Sequence, residues 1–309
     1  MMLFNRLCFL ILAAPTAVAG FIYNTAGKPR FRIPLSVASE SHTSPSVDEY
    51  KIPVTDGDPR FPSMLSGFNQ RWVAKNAKAV YMVRTPDEVA TAMDDILDTY
   101  KDGLKIRSGG HCYENFVMNE GTNGIIDVGN LQDWGHNEEK GYYLSTGENN
   151  WSAFKKIFQA WGFILPSGSC YSVGLGGHIS GGGDGILSRL HGTTCDWVTG
   201  IEIVVKDNPD KPAYVKYIGD DSEGDDADLF WACKGAGNGN FGVITKYYFK
   251  KLPSAPMGTI VTVFAFKWGD AFDAPTLKKI LDEYVDFAGS NNNRASSAKF
   301  PIMHEVRLI

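Results

Sequence analysis

Between Pro166 and Gly185 the chain reads PSGSCYSVGLGGHISGGGDG: eight glycines in twenty residues, with Cys170 and His178 inside the run. Glycine loses more backbone freedom on ordering than any other residue and brings no side chain to a core. A fold that orders so many of them together needs its main chain to pass close to something, and a ligand is the natural candidate. A second stretch, Arg107-Ser108-Gly109-Gly110-His111-Cys112-Tyr113-Glu114, has the same character: a base, then glycines, then a nucleophilic imidazole. Successive N–H groups in such turns form anion-binding nests, and Arg107 adds positive charge, so a diphosphate suits them.

The flanking sequence supplies the scaffold. Ala79 to Val83 is a strand candidate, and Thr85-Pro86-Asp87-Glu88 then offers a capping hydroxyl, a proline at the first helical position and a glutamate three residues after the cap. Val89, Met93, Ile96, Leu97 and Tyr100 make one apolar helical face, which Gly103 is expected to end. A buried strand, Leu104 to Ile106, delivers the chain into the Arg107 loop, and strands are expected at 125–128 and 142–145. Trp151, Phe154, Ile157, Phe158 and Trp161 recur at helical spacing up to Gly162 and read as core. Val198 to Lys206 and Tyr214 to Ile218 read as strands, and Asp225, Asp226 and Asp228 as an exposed acidic loop in preference to a calcium site.

A third glycine run spans Gly235 to Gly242. Its Gly237, Gly239 and Gly242 match G-x-G-x-x-G, but a dinucleotide fingerprint needs a helix next. Val243 to Phe249 is β-branched and aromatic, hence a strand, and the Rossmann reading fails. Leu252 to Pro256 marks a domain boundary; a strand at 259–266, a helix at 276–287 and a strand at 299–309 follow without a closing element.

At 309 residues two domains are the prior. The net charge of −5, with both signs interspersed, leaves no basic footprint for nucleic acid. The N-terminus has a secretory layout: Arg6, an apolar run from Leu7 to Ala14, and Ala17-Val18-Ala19 as a small-x-small cleavage site. That run is too short to span a bilayer, so a secreted, extracellular protein is expected, with no membrane attachment once the signal is removed. Residues 1–19 are then a signal peptide and 20–47 a linker or extended arm. Asn150-Trp151-Ser152 is an N-glycosylation sequon. Cys112, Cys170, Cys195 and Cys233 remain, in a chain too large to need a disulfide scaffold.

Three glycine-rich loops, two of them carrying a nucleophile, suit a long, flat, diphosphate-linked cofactor attached through nitrogen and sulfur. Arg107 to His111, Gly168 to His178 with Gly181-Gly182-Gly183, and Asn240-Phe241-Gly242-Val243-Ile244-Thr245 resemble the FAD-binding signatures of the berberine bridge enzyme family, of the vanillyl-alcohol oxidase fold. The resemblance runs from about Tyr50 to the end. It implies an α+β protein: a PCMH-type FAD-binding domain of two α/β subdomains at 48–253, then the first part of an α+β substrate domain at 254–309.

The resemblance further implies FAD held by two covalent bonds, His111 to the flavin 8α-methyl carbon and Cys170 to C6. Arg107, Ser108, Gly109, Gly110, Val173, Gly174, Gly177, Gly182, Gly183, Gly185, Gly242 and Val243 would line the cofactor, and no metal is implied. A thiolate is a competent nucleophile toward an electron-poor ring. His178 matches a histidine near the flavin N1/C2=O side, where it would stabilise growing negative charge; a satisfied turn histidine is the alternative. Val173 matches a position that governs oxygen access, and Ala236 departs from the family's more uniform glycine run.

The implied reaction oxidises the anomeric C1 hydroxyl of a mono- or oligosaccharide to the lactone while O2 becomes H2O2. The family's catalytic base is expected beyond residue 309. An alcohol, phenol or alkaloid substrate, or a non-catalytic flavin-binding module, are the alternative readings.

Overall fold

A computed structural model describes residues 53–237, 239–255, 260–266, 273–290 and 302–308. The signal peptide and the linker lie outside the described residues. The first layer is a four-stranded sheet of β1 (Val54–Thr55), β2 (Ala79–Met82), β3 (Leu104–Arg107) and β4 (Gly124–Asp127), in the order β1-β2-β4-β3. Its three longer strands are parallel, with Val80 opposite Ile125 and Ile106 opposite Ile126. A short helix, α1 (Phe61–Met64), precedes β2, and α2 (Pro86–Tyr100) crosses from β2 to β3.

The start of α2 follows from local chemistry. Thr85 accepts from Glu88 N, Pro86 sits where a missing N–H costs nothing, and Glu88 Oε2 accepts from Arg84 N. Its end differs from expectation. The stop is Lys101, left-handed at φ 66°, whose N–H reaches Leu97 O, while Gly103 bends the chain two residues later. β3 is half-buried along its whole length, because it forms the edge of the sheet.

The second layer is an antiparallel sheet of β5 (Trp134–Asn137), β6 (Gly141–Ser145), β7 (Gly200–Val205), β8 (Tyr214–Gly219) and β9 (Val243–Phe249), ordered β5-β6-β9-β7-β8. With the parallel sheet and its helices this gives the α+β class expected. β9 begins directly after the third glycine run, as its β-branched sequence requires. α3 (Asn150–Trp161), the short α4 (Leu175–Ser180) and α5 (Ser188–His191), a 3-10 turn at Thr194–Trp197 and α6 (Asp225–Cys233) complete the unit. Asp225, Asp226 and Asp228 are the first turn of α6, where carboxylates oppose the helix dipole, and no metal-binding cluster occurs among the described residues. Beyond Ser254 a crossover unit, β10 (Ile260–Phe266), α7 (Ala274–Ser290) and β11 (Ile302–Leu308), pairs its two strands in parallel.

Two cores matter for the site. Val89, Met93 and Ile96 of α2 pack with Ile126, Val204 and Val243, so one helix face closes against both sheets. Ala153, Ile157, Leu175, Ile179, Ile201, Ile203 and Tyr247 form the other core, under the antiparallel sheet. Of the α3 aromatics expected in it, Trp161 packs against this core, whereas Trp151 is 58% exposed and Phe154 and Phe158 lie outside with it, stacked on one another with centroids 5.7 Å apart. Helical spacing identifies a shared face without saying which of two faces is buried. Here Asn150, Ala153 and Ile157 take the inside.

Candidate functional site

The parallel sheet delivers the first loop. Arg107 closes β3, and its guanidinium donates through Nε to Asp127 Oδ2 at 2.7 Å, with a further bond to Met64 O. The pair is largely buried, so the positive charge of Arg107 is met by Asp127 on the neighbouring strand. Gly110 then turns through φ 70°, and its carbonyl accepts from Phe68 N at 2.8 Å. His111 follows, stacked on the Phe68 ring with centroids 4.8 Å apart and planes 18° apart.

The second loop comes down onto the first. A Cβ on Gly174 would overlap Ser108 Oγ and Gly109 N, so these two main chains touch only because both positions lack side chains. His111 Nε2 and Ser172 Oγ share a hydrogen bond of 3.0 Å, which places the imidazole two residues from exposed Cys170. The third run closes the group. Gly239 packs on Ile106 at the end of β3, and Gly235 lies against Gly182. Gly242, at φ 139°, fits against Val204 O, close to where β9 carries an extra residue, Thr245, opposite β7, and leads into buried Val243.

Thr146, fully buried, joins these pieces. Its carbonyl accepts from Ser108 Oγ at 2.7 Å and from Gly176 N at 3.1 Å, while its hydroxyl donates to Ile244 O at 2.8 Å. Tyr247 reaches up from the sheet to Gly176 O at 3.0 Å and pins α4; burial raises its phenol pKa well above the ordinary range.

The Cys170 loop is suspended from the start of α3. Asn149 caps that helix in a reciprocal box with Ser152. Asn150 N donates to Val173 O at 3.0 Å, Trp151 N to Tyr171 O at 3.2 Å and Leu175 N to Glu148 O at 2.8 Å. The Asn150 amide donates to Cys170 O at 3.1 Å and accepts from Ser167 Oγ at 2.5 Å. Glu148, 1% exposed, is balanced by Lys156 at 2.5 Å. Asn150 itself is only 4% exposed and its amide is engaged on both sides, so the sequon is closed off in the folded chain.

His178 lies beneath the same loop. Its Nε2 accepts from Gly168 N at 2.9 Å, so a neutral ring carries its proton on Nδ1. Burial lowers its pKa, opposed by Asp184. Gly183, at φ 84°, gives the ring room beside Thr194, while Gly185 packs on Ser167 and Gly182, at φ 110°, faces open space. Val173 and Gly177 are half-buried in and beside α4. His111 is therefore joined to the loop that carries exposed Cys170, with His178 beneath that loop and Arg107 engaged by Asp127.

Sequence reasoning missed Phe68, Thr146, Asn150 and Ser172 as parts of this site. Only Asn150 carried a signal, its position at a helix start opposite a glycine loop. Cys112, Cys170, Cys195 and Cys233 are unpaired, the first two exposed; burial pushes the Cys233 thiol up to about 11. A cleft of about 640 Å³ between Asp220, Trp231, Lys234 and Gly235 includes none of the expected site residues. No helix among the described residues is long and apolar enough to cross a membrane.

Residues 77–208 match the FAD binding domain family. The chain is 49% identical over 250 residues to hexose oxidase of Chondrus crispus, covering 81% of this chain and 45% of that protein. It is 31% identical over 216 residues to berberine bridge enzyme-like 19 of Arabidopsis thaliana, covering 67% and 35%. Among solved structures, a glycopeptide hexose oxidase complexed with teicoplanin superposes with a TM-score of 0.62 at 32% identity, covering 66% of this chain and 43% of that one. The chain thus spans less than half the length of these relatives. Glycine loops that meet main chain to main chain suit a diphosphate-linked cofactor, and the chain carries a FAD binding domain of the berberine bridge enzyme family.

Proposed function

We propose that this chain is the flavin-binding part of a secreted oxidase that converts the anomeric C1 hydroxyl of a mono- or oligosaccharide to a lactone, with His111 and Cys170 both bonded to FAD. Bound FAD would supply the two-electron acceptor chemistry, taking up hydride from C1 and giving the electrons on to oxygen as hydrogen peroxide. The chain's own residues bind and orient. His111, held by Phe68 and Ser172, presents a ring nitrogen, and Cys170 presents sulfur from the facing loop. Ser108, Gly109, Gly110 and Gly174 bring main-chain groups together below them. His178, neutral and fixed through Nε2, keeps its Nδ1 proton available as a donor toward growing negative charge.

The observation that carries this reading is the 3.0 Å bond between His111 and Ser172, which joins the two nucleophile-bearing loops on one rim. Sugar as the substrate is supported by the relatives named hexose oxidase and glycopeptide hexose oxidase. The N-terminal signal layout supports export. The test is colour and product: FAD-loaded protein stays yellow through acid precipitation, yields a flavin peptide containing both His111 and Cys170, and releases peroxide with glucose, galactose or their disaccharides. Free FAD in the acid supernatant removes the covalent part, and absence of peroxide with every sugar removes the substrate.

A further inference from the structure

The proposed attachment asks Cys170 to hold its sulfur at one place on a ring, yet among the described residues no side-chain bond fixes that sulfur. The loop from Ser167 to Val173 has to be placed through its main chain, and one side chain does most of this. Asn150 contacts the loop at three points: its amide nitrogen donates to Cys170 O at 3.1 Å, its amide oxygen accepts from Ser167 Oγ at 2.5 Å, and its backbone N–H donates to Val173 O at 3.0 Å. It is buried, and it sits at the first position of α3, next to the Asn149–Ser152 capping box. The loop is thereby bracketed before, at and after Cys170. His111 receives none of these bonds: Phe68 stacks on its ring from outside the loop, and its one tie to the loop is the bond to Ser172.

We infer that Asn150 is a positioning residue for Cys170: its side-chain amide sets where the thiol stands, and so governs the sulfur link to flavin far more than the histidine link, which Phe68 holds from outside the loop. This rests on the two-point attachment proposed above. In that step a sulfur–carbon bond replaces the thiol S–H and the ring C–H; two protons and two electrons leave, and oxygen, already the oxidant of the proposed reaction, takes them to become hydrogen peroxide. Asparagine is specific here because the site needs a donor toward Cys170 O and an acceptor for Ser167 Oγ from one planar group. Aspartate keeps the acceptor and loses the donor.

The experiment compares Asn150→Asp and Asn150→Ala with Asn149→Ala, which removes the helix cap and leaves the Asn150 amide intact. Each full-length protein is loaded with FAD; peptide masses give the fraction linked at Cys170 and at His111, and hydrogen exchange is followed over 167–173 and 107–112. Both Asn150 variants are expected to lose Cys170 linkage at least tenfold, keep His111 linkage, and speed exchange at least tenfold in 167–173 alone. Asn149→Ala is expected to lower the melting temperature while keeping both links. Wild-type linkage and exchange in Asn150→Asp overturn the proposal. If wild-type protein shows no Cys170–flavin peptide, the two-point reading falls, and exchange over 167–173 still decides the role of Asn150.

Discussion

The loops that carry His111 and Cys170 are held by opposite means. His111 is fixed at its ring, by a stack on Phe68 and a bond to Ser172, while the backbone around it turns through Gly110 with few ties. Cys170 is fixed at its backbone, by Asn150 and the Val173 N–H, while its sulfur stays exposed. An imidazole has two ring nitrogens and a flat face, so it can be clamped and still present an atom. A thiol has one small donor, and any bond that fixed it would occupy its single sulfur. The difference teaches that glycine density marks where the main chain is the instrument, and that the polar residue aligning it lies elsewhere in sequence.

The strongest way to break this contrast is to separate the loops. Gly174→Ala drives a methyl into Ser108 and Gly109, and overpacking of this kind costs about 1–3 kcal/mol. Chemical denaturation should show that loss, and both flavin links should fall together; normal linkage at both residues would mean that the contact is incidental. A smaller effect sharpens the His111 side. Phe68→Ala removes the stack, a loss of about 1 kcal/mol, and should speed exchange over 109–112 while leaving 167–173 unchanged.

The smallest effect concerns the other loop. Burial depresses the His178 pKa below its ordinary 6.5, so the unfolded chain binds this proton more readily than the folded one. The stability this contributes is present above about pH 6.5 and is lost as pH falls through the folded value. His191 is shifted the same way, so the wild-type slope contains both. His178→Gln, which keeps an acceptor for Gly168 N, should make the fall in melting temperature between about pH 7 and about pH 5 shallower. Equal falls would remove His178 from the acid response.

What the sequence disclosed follows the range of the forces involved. The start of α2 was legible because Thr85, Pro86 and Glu88 act on their immediate neighbours. β9 was legible because six of its seven residues are β-branched or aromatic, which excludes the helix that a dinucleotide fingerprint demands. α4 was hidden, since Gly176 and Gly177 carry no helical preference and the element forms by docking Leu175 and Ile179 into the core. β5, four residues with little alternation, exists because β6 offers an edge. The inward face of α3 was misread because stacked aromatics and buried aliphatics share one period. Within the site, His111 and Cys170 stood out by their setting among glycines, whereas Phe68, Thr146 and Ser172 acquire their parts only when distant segments meet.

The inward-facing Asn150 also bears on how this protein can be made. In any host that decorates nascent chains at N-x-S/T, its side chain is a prize in a race between the transferase and the closing fold. A molecule modified first arrives with a bulky, hydrated branch where a cramped amide belongs, and its thiol loop is left without its anchor. Yield from such cells would then track how fast the 148–175 region shuts, and a bacterial or glycosylation-deficient strain would give the more uniform product.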